Sequence, residues 1–275
     1  MKSTGAGLRA PAFYTVTGRT AAGEAGREAF ASLPTTAGPW SSVAQHGGPP
    51  AALLGRALER LPAPGDTVLG RVSIDLLGPV PVGPVSVEAR VLRPGRSVSL
   101  VEATLYDDSA SRAVAVARGW RFPRREDGPE PDPKPLPHRP ADGVPEEPPD
   151  SWHTGYLDAM EWSWVEGAIT RPGPAVVWMR QRIPLLEGEQ PTGLQRLLAC
   201  VDSASGVSAA LDTREWNFLN TDLTVHLVRP PEGEWFCLDA VTMLGPGSVG
   251  TATATIHDER GLVARSAQAL LVARR

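Results

Sequence analysis

The stretch IDLLGP at residues 74–79 is followed 151 residues later by VHLVRP at residues 225–230, with apolar residues and the final proline at the same places. A second pair of segments has the same spacing: SVSLVEATLYD at residues 97–107 is matched by SVGTATATIHD at residues 248–258. An internal repeat constrains the architecture of the whole chain, so it is interpreted before any local assignment of helices or strands. Because this period is far longer than that of a solenoid, it indicates a duplicated domain.

Composition is compatible with two globular domains. The chain has 275 residues, of which 41% are hydrophobic and 21% charged, and its formal net charge is −4. Such a length fits two domains of ordinary size. The net charge does not indicate a basic surface that would bind nucleic acid or an anionic membrane. No apolar run reaches the length of a membrane span. Residues 1–10 also lack the apolar core of a signal peptide, so the cytoplasm is the predicted location.

A proline-rich segment separates the two copies of the repeat. Residues 123–150 contain ten prolines and no aromatic residue. Proline removes backbone donors and favours extended, solvated conformations. We therefore predict an N-terminal domain at 1–122, a linker at 123–150 and a C-terminal domain at 151–275.

Each half is predicted to contain one or two initial strands, a long helix and a meander of four strands. In the first half the helix runs from Pro49 to about Leu61, since proline is tolerated in a first turn and apolar residues recur with a period near 3.6. In the second half it runs from about Thr192 to Leu211. The predicted strands are 13–18, 68–77, 85–92, 97–106 and 112–122, then 156–166, 175–183, 216–228, 234–244, 248–257 and 262–273. A sheet of this kind buries its apolar face by wrapping around the helix.

This order of elements is that of the hot-dog fold. Two copies predict a double hot dog of the α+β class: two antiparallel sheets, each wrapped around a central helix, with strands pairing across the halves into one long sheet. From about Trp40 to Arg274 the sequence resembles the acyl-CoA thioesterases of the bacterial thioesterase II type. QHGGPPAALL at residues 45–54 is similar to the family's glycine pair before the central helix. LACVD at 198–202 and ARSAQ at 264–268 resemble the segments that carry its catalytic aspartate and glutamine.

One position departs from the family pattern. NTD at residues 220–222 is similar to a segment that usually reads Thr-Ile-Asp and that, as here, is followed by Arg-Pro. The family's Asp/Thr/Gln set therefore falls on Asp202, Asn220 and Gln268. Because adjacent strand residues point to opposite faces, either Asn220 replaces the threonine, or the register shifts so that Thr221 does, or the activity has changed. We favour the first, since a carboxamide can hold a water as a hydroxyl does.

The resemblance implies hydrolysis of acyl-CoA thioesters to free acid and CoA, with no metal and no other cofactor. Asp202 would act as general base on a water held by Asn220 and Gln268. Gly47 and Gly48 would let the backbone amides of the helix N-terminus approach the thioester carbonyl. The predicted substrate-binding residues are His46, Gly47, Gly48 and Thr221. Apolar positions of the helices, Leu53, Leu54, Leu198 and Val207, are candidates for an acyl tunnel.

Several of these assignments have an alternative explanation. Asp202, which is followed by serines, also fits a helix cap. Gln268 lies in an Ala/Leu/Val strand and faces either inward or toward solvent. His46, beside a glycine turn, fits packing or ligand contact better than a role as base. The glycine pair alone also fits a simple turn before a helix.

Other functions are less compatible with the sequence. It contains no Gly-x-Ser-x-Gly elbow and no phosphate loop, zinc-spaced Cys/His set or dinucleotide fingerprint. Hot-dog hydratases carry a histidine about five residues after the helix aspartate, where this chain has Val207. The main alternative is an acyl-CoA or acyl-carrier binding protein with weak or no catalysis, which the asparagine at position 220 supports.

The resemblance also implies acyl-CoA as the partner and a place in fatty acid metabolism, whereas assembly into homo-oligomers is left open. The first half shows no obvious counterpart of Asp202. We therefore predict one active site per chain.

Overall fold

The structure, a computed structural model, describes residues 12–19, 26–125, 136–150, 152, 155–212 and 215–275. The strands are β1 (Tyr14–Arg19), β2 (Arg27–Ser32), β3 (Ala37–Gly38), β4 (Ser41–Gln45), β5 (Thr67–Leu76), β6 (Pro84–Arg93), β7 (Ser99–Asp107), β8 (Arg112–Pro123), β9 (Met160–Ala168), β10 (Arg171–Gln181), β11 (Trp216–Asn220), β12 (Asp222–Leu227), β13 (Phe236–Leu244), β14 (Val249–Asp258) and β15 (Gly261–Arg274). The helices are α1 (Gly48–Arg60), α2 (Gly155–Ala159), α3 (Gly193–Val201) and α4 (Ala204–Val207).

The described strands form one large antiparallel sheet and one small one. The large sheet has thirteen strands in the order β1-β2-β6-β7-β8-β5-β12-β15-β14-β13-β10-β9, with β11 paired to β15, while β3 and β4 pair separately. Pairing of β5 with β12 joins the two halves, which confirms the predicted pairing across them. The halves therefore share the one long sheet that was predicted, whereas the description of that sheet as two sheets, each wrapped around its own helix, is not confirmed. Pairing of these two edge strands provides hydrogen-bond partners for backbone N–H and C=O groups that an exposed edge would leave unpaired.

The join between the halves has the symmetry that a duplication requires. In the β5–β12 ladder, Ser73 lies opposite Thr224, and these residues are 151 positions apart. A residue that pairs with its own repeat equivalent lies on the pseudo-twofold axis between the copies. The repeat seen in the sequence is therefore a structural repeat centred on this pair.

The central helices pack against each other inside the curved sheet. α1 begins with Pro49 and Pro50 in its first turn, and its apolar side chains are buried against β5 to β8. α3 starts at Thr192, whose hydroxyl accepts a hydrogen bond from the backbone N–H of Gln195 at 3.2 Å. It packs on α1, β10 and β13. One apolar core, with contributions from both halves, encloses the helices.

The eight meander strands agree with the sequence prediction to within about two residues at each end, except that the strand predicted at 216–228 is divided at Thr221. Two other predictions need correction. The second long helix is broken after Val201 into α3 and α4, and the first residues of the strand predicted at 156–166 form α2. Strands β2, β3 and β4 were not predicted. Of the predicted linker, residues 126–135 lie outside the described residues, and Val144 pairs with Trp164 of β9.

Candidate active site

Asp202 lies where the second helix is interrupted. It follows the last residue of α3, and its backbone N–H bonds to the carbonyl of Cys200. The side chain is 7% exposed and faces the N-terminus of α1. A carboxylate buried to this degree needs polar partners. Three of the residues predicted from the sequence supply them.

Two carboxamides from the sheet hold Asp202. Asn220 Nδ2 donates to Asp202 Oδ1 at 2.8 Å. Gln268, which is 1% exposed, donates through Nε2 to the backbone carbonyl of Asp202 at 3.1 Å and to Oδ1 at 3.5 Å. Its Oε1 accepts a hydrogen bond from the backbone N–H of Ser205 at 3.1 Å. Gln268 thus faces inward, and it ties the turn between α3 and α4 to β15.

A β-bulge turns Asn220 toward Asp202 and Thr221 away from it. Asn220 lies opposite Leu270 and Thr224 lies opposite Ala267, so β15 supplies one residue fewer over this interval. The extra residue interrupts the alternation of side chains, so that residues before and after the bulge can point to the same face of the sheet. Thr221 is exposed, and its backbone N–H donates to the carbonyl of Ala269. The structure therefore does not bring Thr221, predicted to bind substrate, to the cluster.

His46 and the glycine pair form the opposite wall. His46 Nδ1 is 3.4 Å from Asp202 Oδ2 and accepts a hydrogen bond from the Gly48 N–H at 3.0 Å. That bond assigns the neutral tautomer with the proton on Nε2. Burial lowers the pKa of His46, while the charge of Asp202 opposes this shift. A Cβ on Gly47 would lie 2.6 Å from the Asp202 carboxylate, so any side chain there would displace Asp202 from its present position.

The N-terminus of α1 offers fewer backbone N–H groups to an oxyanion than a helix N-terminus normally does. Pro49 and Pro50 have no backbone N–H, so Gly48 is the only one of the first three residues of α1 that can donate. In the structure this N–H is bonded to His46. Whether the Gly48 N–H is free to donate to a ligand therefore depends on the protonation of His46 Nδ1.

Tyr156 is part of the site but was missed by the sequence analysis. Its ring stacks on His46, with centroids 3.7 Å apart and planes 2° from parallel. Its hydroxyl donates to the carbonyl of Ala199 at 2.6 Å and lies 3.0 Å from Ser203 Oγ. Burial raises the pKa of Tyr156 well above its usual value, so it remains a donor. It lies on α2, in a segment predicted as strand, and no motif in the sequence points to it.

The leucines proposed for an acyl tunnel are packed in the core instead. Leu53, Leu54 and Leu198 are fully buried among other apolar side chains of α1 and α3. Side chains packed in this way line no open channel, and Val207, the fourth candidate, is also buried at 6% exposed.

Among its described residues, the first half has no copy of the polar cluster. β5 and β8 contain the same bulge, between Leu69 and Arg71, and the ladders place Leu69 where the second half has Asn220. Because the β7–β8 turn is two residues longer than the β14–β15 turn, Gly119 corresponds to Gln268. Neither has a polar side chain. The bulge therefore belongs to the duplicated unit, whereas the carboxamides belong to the second copy alone.

Two further observations concern the described residues as a whole. Among them, no group of three or more His, Cys, Asp or Glu side chains is arranged to hold a metal ion. None of the helices in this part of the chain is long and apolar enough to cross a membrane.

Comparison with known proteins identifies relatives for both halves. Residues 36–122 match the profile of the acyl-CoA thioesterase N-terminal domain, and residues 137–272 match that of the acyl-CoA thioesterase C-terminal domain. No sequence among curated proteins matches the chain.

Solved structures show the same fold over nearly the whole chain. A putative thioesterase II from Thermobifida fusca is 20% identical, with 96% of each chain covered and a TM-score of 0.73. A conserved hot-dog protein of unknown function from Alicyclobacillus acidocaldarius is 18% identical, with 94% of this chain and 96% of the other covered and a TM-score of 0.73. An acyl-CoA thioesterase II from Mycobacterium marinum is 15% identical, with coverage of 92% and 94% and a TM-score of 0.66. These likenesses confirm the hot-dog fold.

Proposed function

This chain belongs to the acyl-CoA thioesterase family, and we propose that it hydrolyses acyl-CoA thioesters with a water activated by Asp202. The observation that carries this proposal is the contact of one buried carboxylate with the Asn220 carboxamide on one side and with His46 and the glycine pair on the other. Such a group is placed to take a proton at a contact between the two halves.

The chemistry requires a base, a positioned water and a donor for the oxyanion. Asp202 takes a proton from the water as the water oxygen attacks the thioester carbonyl. Asn220 uses Nδ2 to bind Asp202, so its carboxamide oxygen remains as an acceptor for that water. Collapse of the tetrahedral intermediate breaks the C–S bond, and the CoA thiolate takes up the proton. Gln268 acts by holding the Asp202 backbone and carboxylate in place.

His46 links the base to the oxyanion donor. Its Nδ1 lies 3.4 Å from Asp202 Oδ2 and already accepts the Gly48 N–H. If His46 receives the proton that Asp202 has taken, the Gly48 N–H loses its acceptor and becomes available to the oxyanion. Donors aimed at the developing charge stabilise the transition state more than the ground state.

The direct test is thiol release from acyl-CoAs with acyl chains from acetyl to palmitoyl. We expect release for part of this range, with free acid and CoA as products. Binding of acyl-CoA without release from any of them would instead identify the chain as an acyl-CoA binding protein. The single cluster in the second half supports one site per chain, and this is measured as one equivalent of bound substrate analogue.

Alanine substitutions of Asn220 and Thr221 form a matched pair that tests which of the two takes the place of the family's threonine. We expect Asn220→Ala to lower kcat/KM about 10- to 100-fold, since a hydrogen bond to a charged group contributes about 1.5–3 kcal/mol. Thr221→Ala should stay within about twofold, because its side chain is exposed on the other side of the bulge. Equal rates for the two variants in steady-state assays would contradict the assignment of Asn220.

The pH dependence of activity tests His46. Burial lowers its pKa from the usual value of about 6.5, so it is neutral at pH 7 and becomes charged only on acidification. A protonated Nδ1 would pair with Asp202 and could accept no proton from it. We expect kcat/KM to fall as the pH is lowered below the ordinary histidine pKa of about 6.5, and we expect the midpoint of this fall to move in His46→Asn. An unchanged midpoint in the variant would assign the acidic limb to another group.

Cytoplasmic location, homo-oligomer formation and a place in fatty acid metabolism stay predictions from the sequence. The domain boundaries likewise stay a proposal. The shared sheet and core support treating the two halves as one folding unit.

A further inference from the structure

An apolar cluster continues from the polar site along the inner face of the sheet. It consists of the buried residues Ala252, Leu270 and Val272 and the partly buried residues Leu211, Trp216 and Phe218, and we refer to it as the β11 cluster. It is separate from the main core, and Leu211, Trp216 and Phe218 are only partly buried. Its partly buried side chains therefore retain accessible apolar surface.

The β11 cluster is directly continuous with the polar site. Phe218 and Trp216 follow the alternation of β11 and lie on the same face as Asn220. Leu270 lies directly opposite Asn220 and is two residues from Gln268, on the same face. A ligand whose carbonyl lies beside Asp202 therefore meets the side chains of Leu270, Phe218 and Trp216 in this direction.

The first half shows that the fold itself does not require these apolar residues. By the same ladder correspondence, Gly65 and Thr67 take the places of Trp216 and Phe218, and Arg121 takes that of Leu270. Arg121 donates to the backbone carbonyls of Leu58, Glu59 and Pro62. Trp216, Phe218 and Leu270 thus have no aromatic or aliphatic counterpart in the first half. A feature restricted in this way fits a ligand better than it fits the architecture.

From this asymmetry we infer that the β11 cluster binds the acyl chain of the substrate and sets its length, an inference that rests on the proposed hydrolysis. The chain lies against Phe218 and ends at Trp216. The strand from Asn220 to Trp216 spans four residues, or about 13 Å, close to the extended length of roughly ten carbons. Beyond it, the Arg274 guanidinium lies 5.7 Å from the centre of the Trp216 ring. A charged group there disfavours further apolar chain, because covering it removes its hydration. The preferred substrates are therefore medium-chain acyl-CoAs.

Binding of non-hydrolysable S-alkyl-CoA thioethers, from ethyl to hexadecyl, tests this inference by calorimetry. For the wild type, affinity should rise about threefold to fourfold per added CH2 up to about ten carbons and then level off. Phe218→Ala should weaken the decyl compound about tenfold or more and leave free CoA unchanged. Leu219→Ala is the matched control, because Leu219 is exposed on the outer face of the same strand. Trp216→Ala should move the plateau to longer chains.

The outcomes separate this inference from the proposed hydrolysis. Length-dependent binding that Phe218→Ala removes, without turnover of any acyl-CoA, would leave the acyl site in place and reject hydrolysis. Turnover that depends on Asp202, with equal effects of Phe218→Ala and Leu219→Ala at every length, would reject the acyl site alone. Weaker binding of free CoA in Phe218→Ala would also overturn the inference, since it would place the pantetheine arm in the β11 cluster.

Discussion

Replacement of Asp202 by asparagine should lower kcat/KM by about 10²- to 10⁴-fold, the usual contribution of a general base. Asparagine keeps the size of the side chain but cannot take a proton from water. Because the residue is buried and bonded to Asn220 and Gln268, the loss should appear in kcat more than in KM. Thiol release from a reactive acyl-CoA measures both constants.

Two controls separate catalysis from folding in this variant. Asp158→Asn removes one carboxylate at an exposed position of α2 and should leave kcat/KM unchanged. Thermal unfolding should show that Asp202→Asn is folded at the assay temperature. If Asp202→Asn keeps wild-type turnover, Asp202 is not the base, and the proposed mechanism is wrong even if the chain is a thioesterase.

Replacement of Arg229 by methionine should destabilise the protein by about 3–5 kcal/mol, the usual cost of removing one partner from a buried ion pair. Arg229 forms a two-point contact with Asp258, which is 0% exposed, and also donates to the carbonyl of Gly261 at 3.0 Å. Methionine keeps much of the aliphatic bulk but leaves the Asp258 carboxylate buried with only backbone donors, from Glu232 and Arg260. The free energy of unfolding from denaturant titration measures the loss.

A neighbouring arginine provides the matched control for this measurement. Arg260 pairs with Glu232 at the surface, and both side chains are more than half exposed. Exposed pairs of this kind contribute at most about 1 kcal/mol, so Arg260→Met should have a small effect. Similar losses in the two variants would show that burial of Asp258 does not govern the stability of this turn. Arg229 would then contribute no more to the stability of this turn than the exposed Arg260 does.

Much of the architecture could be predicted from local patterns. The repeat spacing predicted two copies, and alternation of apolar residues located the eight meander strands. Proline and leucine positions located α1. These features depend on residues close in sequence, where periodicity of side chains directly reflects which face is buried. The resemblance to thioesterases pointed to Asp202 and Gln268, which the structure brings together.

Other features of the site depend on contacts between distant residues. Tyr156 reaches His46 and Ala199 only because α2 docks against both halves. The choice between Asn220 and Thr221 depends on a single extra residue in the ladder with β15. A one-residue change of register reverses every side chain of a strand, and neither neighbour in the sequence reveals which residue is the extra one.

The sequence by itself thus determined the duplication and the order of elements, which follow from spacing and side-chain type, and its resemblance to the thioesterases supplied the candidates for the polar site. Tertiary structure decided that β5 and β12 are the strands that join the halves, that Asn220 rather than Thr221 reaches Asp202, and that the apolar β11 cluster begins where the carboxamides end. These outcomes depend on which strand edges meet and which side chains share a face after folding. Pairing and packing over long sequence separations set both.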